Sequence, residues 1–262
     1  MKLGVSGDFH RAQFAKKVGF DFMEENLYRM AALDDAAFSE FVRGYEHLDL
    51  PILSFNGYFS PDFALYAPDA LAEVKAYSEK ALSRAEYVGA TLCVLGSGKA
   101  RSIPEGADAA WCVQRFTDIL SICGECADRH GMLLVVEPLR QKETNFLHTV
   151  ADASTLARRC GAKNVGALVD FFHFSMNGEL DSGLFCSEDL LYHAHLARGY
   201  EDRGVPREED IPTLLHWAQM LKAVHYDGDL VLEPRFENKL EPEAELACAL
   251  PLMRLMKAEL EK

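Results

Sequence analysis

Residues 133–137 read LLVVE and residues 166–170 read GALVD, two short runs that are apolar throughout and end in a carboxylate. Such runs lack the in-out alternation of a half-exposed strand and fit strands of a parallel sheet covered on both faces. Working outward, six more runs share this character: Lys2–Val5, Phe20–Glu24, Pro51–Phe55, Thr91–Leu95, Tyr192–Leu196 and Asp229–Glu233. Between them lie stretches with helical spacing. Pro68–Val88 places Leu71, Val74, Tyr77, Ala81, Leu82, Ala85 and Val88 three or four residues apart and stops just before Gly89. Similar helices are predicted over Arg11–Val18, Asp34–His47, Asp108–His130, Thr149–Cys160, Pro212–His225 and Pro242–Leu260, with a shorter one inside the glycine-rich segment Asn177–Leu191. Eight strand-then-helix units within 262 residues, without a Gly/Ser linker, predict one (β/α)8 TIM barrel over residues 1–262. A doubly wound open sheet is the rival, but no G-x-G-x-x-G follows the first strand.

The chain carries 41 acidic and 27 basic residues, a net charge of −14 that repels nucleic-acid phosphates and anionic membranes. The start, MKLGVSGDFH, lacks the apolar core of a signal peptide, and no run reaches the roughly 18 apolar residues of a membrane span. A cytoplasmic protein is expected. The seven scattered cysteines suit a reducing compartment, and Cys123 and Cys126, a C-x-x-C inside a helical pattern, read as helix packing.

Four polar residues mark the ends of the last four strands: Glu137, Asp170, His195 and Glu233. A barrel gathers the C-terminal ends of its strands around one mouth, so these side chains would converge. Three carboxylates so close together repel one another and call for a positive partner. One divalent metal ion meets that need. The oxygen-rich donor set favours Mn²⁺, Mg²⁺ or Co²⁺, with Zn²⁺ also admissible. Singly, each of these residues could equally cap a helix or pack as a core histidine. The loop after the fourth strand, LGSGKARSIPEG, offers Lys99 and Arg101 either to an anionic substrate group or to the protein's own acidic surface.

The stretches LLVVEPLRQKETNFLHT (133–149), VGALVDFFHF (165–174), HAHLARGYEDRGVP (193–206) and YDGDLVLEPRF (226–236) resemble signature regions of the xylose-isomerase-like TIM barrel superfamily. Within it they are similar to the sugar isomerase/epimerase branch typified by D-tagatose 3-epimerase. The resemblance implies that Glu137, Asp170, His195 and Glu233 bind the metal. It further implies that Glu137 and Glu233 form an acid/base pair and that Glu143, His173 and Arg203 contact substrate. Arg198 lies in the same loop as Arg203 and competes for that role. Each of the three substrate positions also has an ordinary reading: helix capping for Glu143, aromatic packing for His173 and a surface ion pair for Arg203. The implied reaction is proton abstraction beside a carbonyl through an enediolate, on a ketose or related hydroxy-carbonyl sugar. Rival activities on the same scaffold are an inosose dehydratase-like lyase, a hydroxypyruvate isomerase, an AP-endonuclease-like hydrolase and a non-catalytic sugar-binding barrel. The hydrolase needs extra histidines at earlier strand ends, where this chain has Phe55–Asn56 and Leu95–Gly96. The expected partner is a small sugar, with no nucleic acid and no membrane; whether subunits assemble into a homo-oligomer is left open.

Overall fold

The computed structural model describes residues 1–262. Its eight strands are β1 (Leu3–Ser6), β2 (Phe22–Asn26), β3 (Ile52–Asn56), β4 (Leu92–Leu95), β5 (Leu133–Val136), β6 (Val165–Asp170), β7 (Leu191–Leu196) and β8 (Leu230–Leu232). Each pairs in parallel with the next, and β8 pairs with β1 to close the barrel. The expected (β/α)8 architecture is therefore the one observed. No helix is long and apolar enough to cross a membrane.

The strands divide their side chains between two cores. Cys93, Leu95, Leu134, Val136, Ala167 and Val169 face outward into the main core shared with the helices. The residues that alternate with them, Leu92, Val94, Val135 and Leu168, form a separate apolar cluster, which the alternation places inside the barrel. Phe22 also packs near the barrel's base, where a Cβ at position 4 would lie 2.4 Å from its ring; only glycine fits there.

The helices begin where the sequence offers caps. Asp8, Asp34, Asp108 and Thr149 accept hydrogen bonds from the first-turn amides of helices Phe9–Val18, Asp35–Leu48, Ala109–Arg129 and Val150–Cys160. Gly19 and Gly161 close two of them in the left-handed conformation, at φ 97° and 73°. Cys123 and Cys126 are both buried in helix Ala109–Arg129, as their packing reading expects.

Several boundaries differ from expectation for local reasons. The second strand begins at Phe22 rather than Phe20, because the amide of Phe20 still bonds the carbonyl of Ala15 in the helix end. It runs on to Asn26 because Glu25 and Asn26 pair with Phe55 and Asn56. Two further short helices, Leu27–Ala32 and Gly98–Arg101, follow β2 and β4, the second within the stretch expected as a loop. A helix at Phe171–Met176 starts directly after β6, ahead of the expected one, found at Asp181–Phe185.

Glu25 points out of the barrel, where its carboxylate accepts hydrogen bonds from the Tyr45 hydroxyl and the Asn26 amide. Burial dominates and pushes its pKa up to about 7. The folded chain thus keeps a proton that the unfolded chain releases near pH 4.5, and Glu25's contribution to stability falls as pH rises from there to about 7. Glu25→Gln should remove this dependence. Its melting temperature relative to the parent should rise between pH 5 and pH 8, by the equivalent of about 3 kcal/mol at most. Thermal unfolding in chelator-containing buffer at the two pH values measures it; a constant difference would refute the assignment.

Candidate active site

Glu137 follows β5, Asp170 ends β6, His195 lies on β7 and Glu233 follows β8. One donor atom from each lies within 4.8 Å of the others. Barrel closure thus brings together all four residues expected to converge. His195 is fully buried, and its Nδ1 lies 3.4 Å from Glu137 Oε1 and 3.2 Å from Glu233 Oε2. That nitrogen has no hydrogen-bond partner. A buried ring nitrogen without a hydrogen-bond partner, aimed into a group of carboxylates, suits a divalent cation better than a closed hydrogen-bond network, so the residues fit a metal.

Charge in the cluster is balanced by two cations. Arg203 Nη2 donates to Asp170 Oδ2 at 2.8 Å and also to Glu233 Oε2. Burial works against a charged His195, but Glu24 and Glu233 overcome it and hold the imidazole pKa well above its usual value. The two glutamates are driven apart. Burial raises the pKa of Glu137, reinforced by repulsion from Glu233 and Asp170 and only partly relieved by His195. Burial would raise Glu233 too, but Arg203 and His195 outweigh it and bring that carboxyl down to about 2. Two nearby carboxyls with opposed proton affinities can divide acid and base roles.

Each carboxylate is placed by identifiable neighbours. Glycine at position 96 leaves room for the Glu137 carboxylate, because a Cβ there would lie 2.3 Å from Oε2 and displace it. Asp170 Oδ1 caps the helix after β6 by accepting from the Phe172 amide at 2.9 Å, which leaves Oδ2 for the cluster. Asn56, at the end of β3, donates from Nδ2 to Glu233 Oε1 at 2.9 Å and to Ser6 Oγ at 2.8 Å. Glu24, buried on β2, lies 2.9 Å from His195 Nε2.

The sequence reading overlooked both Asn56 and Glu24. A signal existed, since FDFME and ILSFN also end in polar residues, but none of the four stretches that carry the family resemblance includes them.

The remaining expected site residues lie at different depths around the cluster. His173 is buried; its Nδ1 accepts from the Arg140 amide at 3.2 Å and its Nε2 lies 3.4 Å from Asp170 Oδ2. It is therefore both packed and turned toward the cluster. Arg203 is no surface residue, for its guanidinium lies 4.8 Å over the Phe172 ring as well as on the carboxylates. Arg198, no more exposed than Arg203, pairs instead with Glu209 at 2.6 Å and Asp210 at 2.9 Å. Glu143 lies outside the four-residue group and accepts from Arg140 Nε at 3.0 Å. It caps no helix: Thr149 caps helix Val150–Cys160, helped by Glu179, which accepts from the Val150 amide. Neither cation of the β4 loop presents an anion site. Arg101 is fully buried and donates to the Glu137 carbonyl at 2.7 Å, while Lys99 pairs with Asp62 at 2.7 Å on the surface.

Known proteins share this arrangement of elements. The chain is 25% identical over 232 residues to D-psicose 3-epimerase of Agrobacterium fabrum (strain C58 / ATCC 33970), covering 83% of this chain and 76% of that protein. It is 28% identical over 120 residues to 3-dehydro-D-guloside 4-epimerase of Escherichia coli (strain K12), covering 45% of each. The chain thus spans under half of the E. coli relative and about three quarters of the Agrobacterium one. In three dimensions it superimposes on a crystal structure of D-psicose 3-epimerase in the presence of D-fructose with a TM-score of 0.82, at 19% identity over the whole of both chains. The sequence model of the family described as xylose isomerase-like TIM barrel matches residues 12–255. With that match spanning nearly the whole barrel, the chain belongs to the xylose isomerase-like TIM barrel family.

Proposed function

We propose that this protein is a metal-dependent sugar epimerase or isomerase that moves a proton on the carbon next to a ketone. The observation that carries the reading is the pair Glu137 and half-buried Glu233, which both face His195 Nδ1 within one group of four donors that could share an ion. The relatives' names support the same chemistry. A D-psicose 3-epimerase inverts the carbon beside a C2 ketone, and a 3-dehydro-guloside 4-epimerase the carbon beside a C3 ketone. In both, the carbon is acidified by its carbonyl neighbour.

In this reading Glu137, Asp170, His195 and Glu233 hold one divalent ion, with Mn²⁺, Mg²⁺ or Co²⁺ suited to the oxygen-rich donors and Zn²⁺ tolerated. When bound, the ion supplies Lewis-acid stabilisation of negative charge developing on substrate oxygen. Glu137 and Glu233 exchange the proton, one as base and the other as acid, on opposite faces of the carbon. His173 and Arg203, whose nitrogens face Asp170, hold substrate oxygens, and Glu143 accepts a substrate hydroxyl. The net charge of −14 and the ends of β3 and β4, which carry Asn56 and Gly96 instead of further histidines, favour this reading over phosphodiester hydrolysis.

Deuterium exchange tests the proposal. Mn²⁺-loaded protein in D₂O should place deuterium at C3 of one or more 2-ketoses or at C4 of a 3-keto glycoside, followed by NMR, with the substrate's mass otherwise conserved. Loss of water instead would identify a lyase. Absence of exchange throughout a panel of ketoses, keto-glycosides, hydroxypyruvate and inosose, with Mn²⁺ shown to be bound, would overturn the epimerase reading.

A further inference from the structure

Glu24 lies inside the barrel with no exposed surface, and its two oxygens have different surroundings. Oε2 accepts from the Ser54 hydroxyl at 2.8 Å and lies 2.8 Å from His193 Nε2. Oε1 faces His195 Nε2 at 2.9 Å, off the line of an ideal hydrogen bond, and neither of these buried atoms has another partner. The other ring nitrogen, Nδ1, faces Glu137 and Glu233. Strands β4, β5 and β6 fill the barrel interior with Leu92, Val94, Val135 and Leu168, so a carboxylate is not what packing requires there.

An ionised carboxylate only accepts hydrogen bonds, and the neutral imidazole that a metal ion requires as ligand carries one N–H. Facing Glu24, that N–H belongs on Nε2, which leaves the Nδ1 lone pair directed at the cluster. We propose that Glu24 is the positioning residue that fixes this tautomer of His195 and strengthens its Nδ1 as a ligand for a divalent cation. Ser54 and His193 clamp the second oxygen and keep the carboxylate from turning away. Carboxylate partners of metal-binding histidines act in this way, and their loss typically costs 10–100-fold in metal affinity. The inference rests on the metal reading of the cluster given above.

Two variants test it: Glu24→Gln keeps the size and an acceptor oxygen but removes the charge, and Glu24→Met removes both. Mn²⁺ binding is read from the electron paramagnetic resonance signal of the free ion. Long-range ¹H–¹⁵N NMR of the Zn²⁺-loaded parent reports which nitrogen of His195 carries the proton. The expected result is a proton on Nε2 in the parent, with the Mn²⁺ Kd raised about 10-fold in Glu24→Gln and about 100-fold in Glu24→Met. If Glu24→Met fails to fold, Glu24→Gln alone decides. Folded variants that bind Mn²⁺ like the parent, or a parent that binds Zn²⁺ through Nε2, would overturn the role of Glu24. A parent that takes up neither ion overturns the metal reading itself, a separate outcome.

Discussion

Glu137→Gln and Glu233→Gln should each lower kcat for epimerisation by about 10³-fold, within the range expected for loss of a general acid or base, while the barrel stays folded. Glutamine keeps the volume, and Gly96 still leaves room beside position 137. At position 233 the amide oxygen can still accept from Asn56 Nδ2. What each variant loses is a group that exchanges protons. The two should also differ in a way that a merely structural lesion would not produce. If the glutamates address opposite faces, each variant blocks proton removal from one epimer but leaves the base for the other. Glu137→Gln should wash deuterium into one epimer without inverting it, and Glu233→Gln should do so with the opposite epimer. Metal-saturated kinetics and NMR exchange from both epimers check this. Near-parental kcat in either variant removes the two-carboxylate mechanism.

Chelation should stop turnover, and Mn²⁺ should restore it with an affinity that depends steeply on pH. His195 holds its proton tightly because Glu24 and Glu233 outweigh its burial, and Glu137 is shifted toward its protonated form by burial and by its acidic neighbours. A metal needs the lone pair of Nδ1 and an ionised Glu137, so binding must expel protons. The sign follows: lower pH favours the protonated, metal-free cluster. The apparent Mn²⁺ Kd should therefore rise about tenfold per pH unit for each proton displaced. Saturating metal at about 100 times Kd should stabilise the fold by about 2.7 kcal/mol, equivalent to about 5–10 °C in a chain of this size. Calorimetric titration in buffers of different ionisation enthalpy counts the protons, and thermal melts with and without Mn²⁺ give the stabilisation. A Kd independent of pH between 6 and 9 would show that His195 is not a ligand.

For the metal-free chain the pH trend has its own direction. His195, with its pKa raised in the fold, contributes stability that is full below about pH 6.5 and lost as pH rises through the folded value. Glu233, lowered to about 2, contributes stability present above its unfolded value and lost only in strong acid.

The barrel and its central residues were legible because they rest on short-range information. A run such as LLVVE reports by itself that both faces are buried and that a carboxylate follows, and eight such runs in order have one closed arrangement in which Glu137, Asp170, His195 and Glu233 meet. Loop roles were legible only as types. Arg198 and Arg203 are five residues apart in one charged loop, and nothing local separates them. The choice is made by a left-handed backbone turn at Arg203, φ 48°, and by the bond from the Arg235 amide to its carbonyl at 2.7 Å, which hold that side chain near the carboxylates.

By itself, the order of apolar runs and their polar ends determined the (β/α)8 class and the four residues that converge at its mouth, since side-chain alternation and strand sequence are properties of the chain. Only the tertiary structure decided that Arg101 supports the Glu137 backbone, that Asn56 holds Glu233, that Arg203 rather than Arg198 balances the cluster and that Glu24 backs His195. These pairs are 30 to 177 residues apart or turn on a single backbone dihedral. Their geometry exists only once the barrel has closed, because a hydrogen bond depends on side-chain direction within a few tenths of an ångström, which residue type and spacing do not encode.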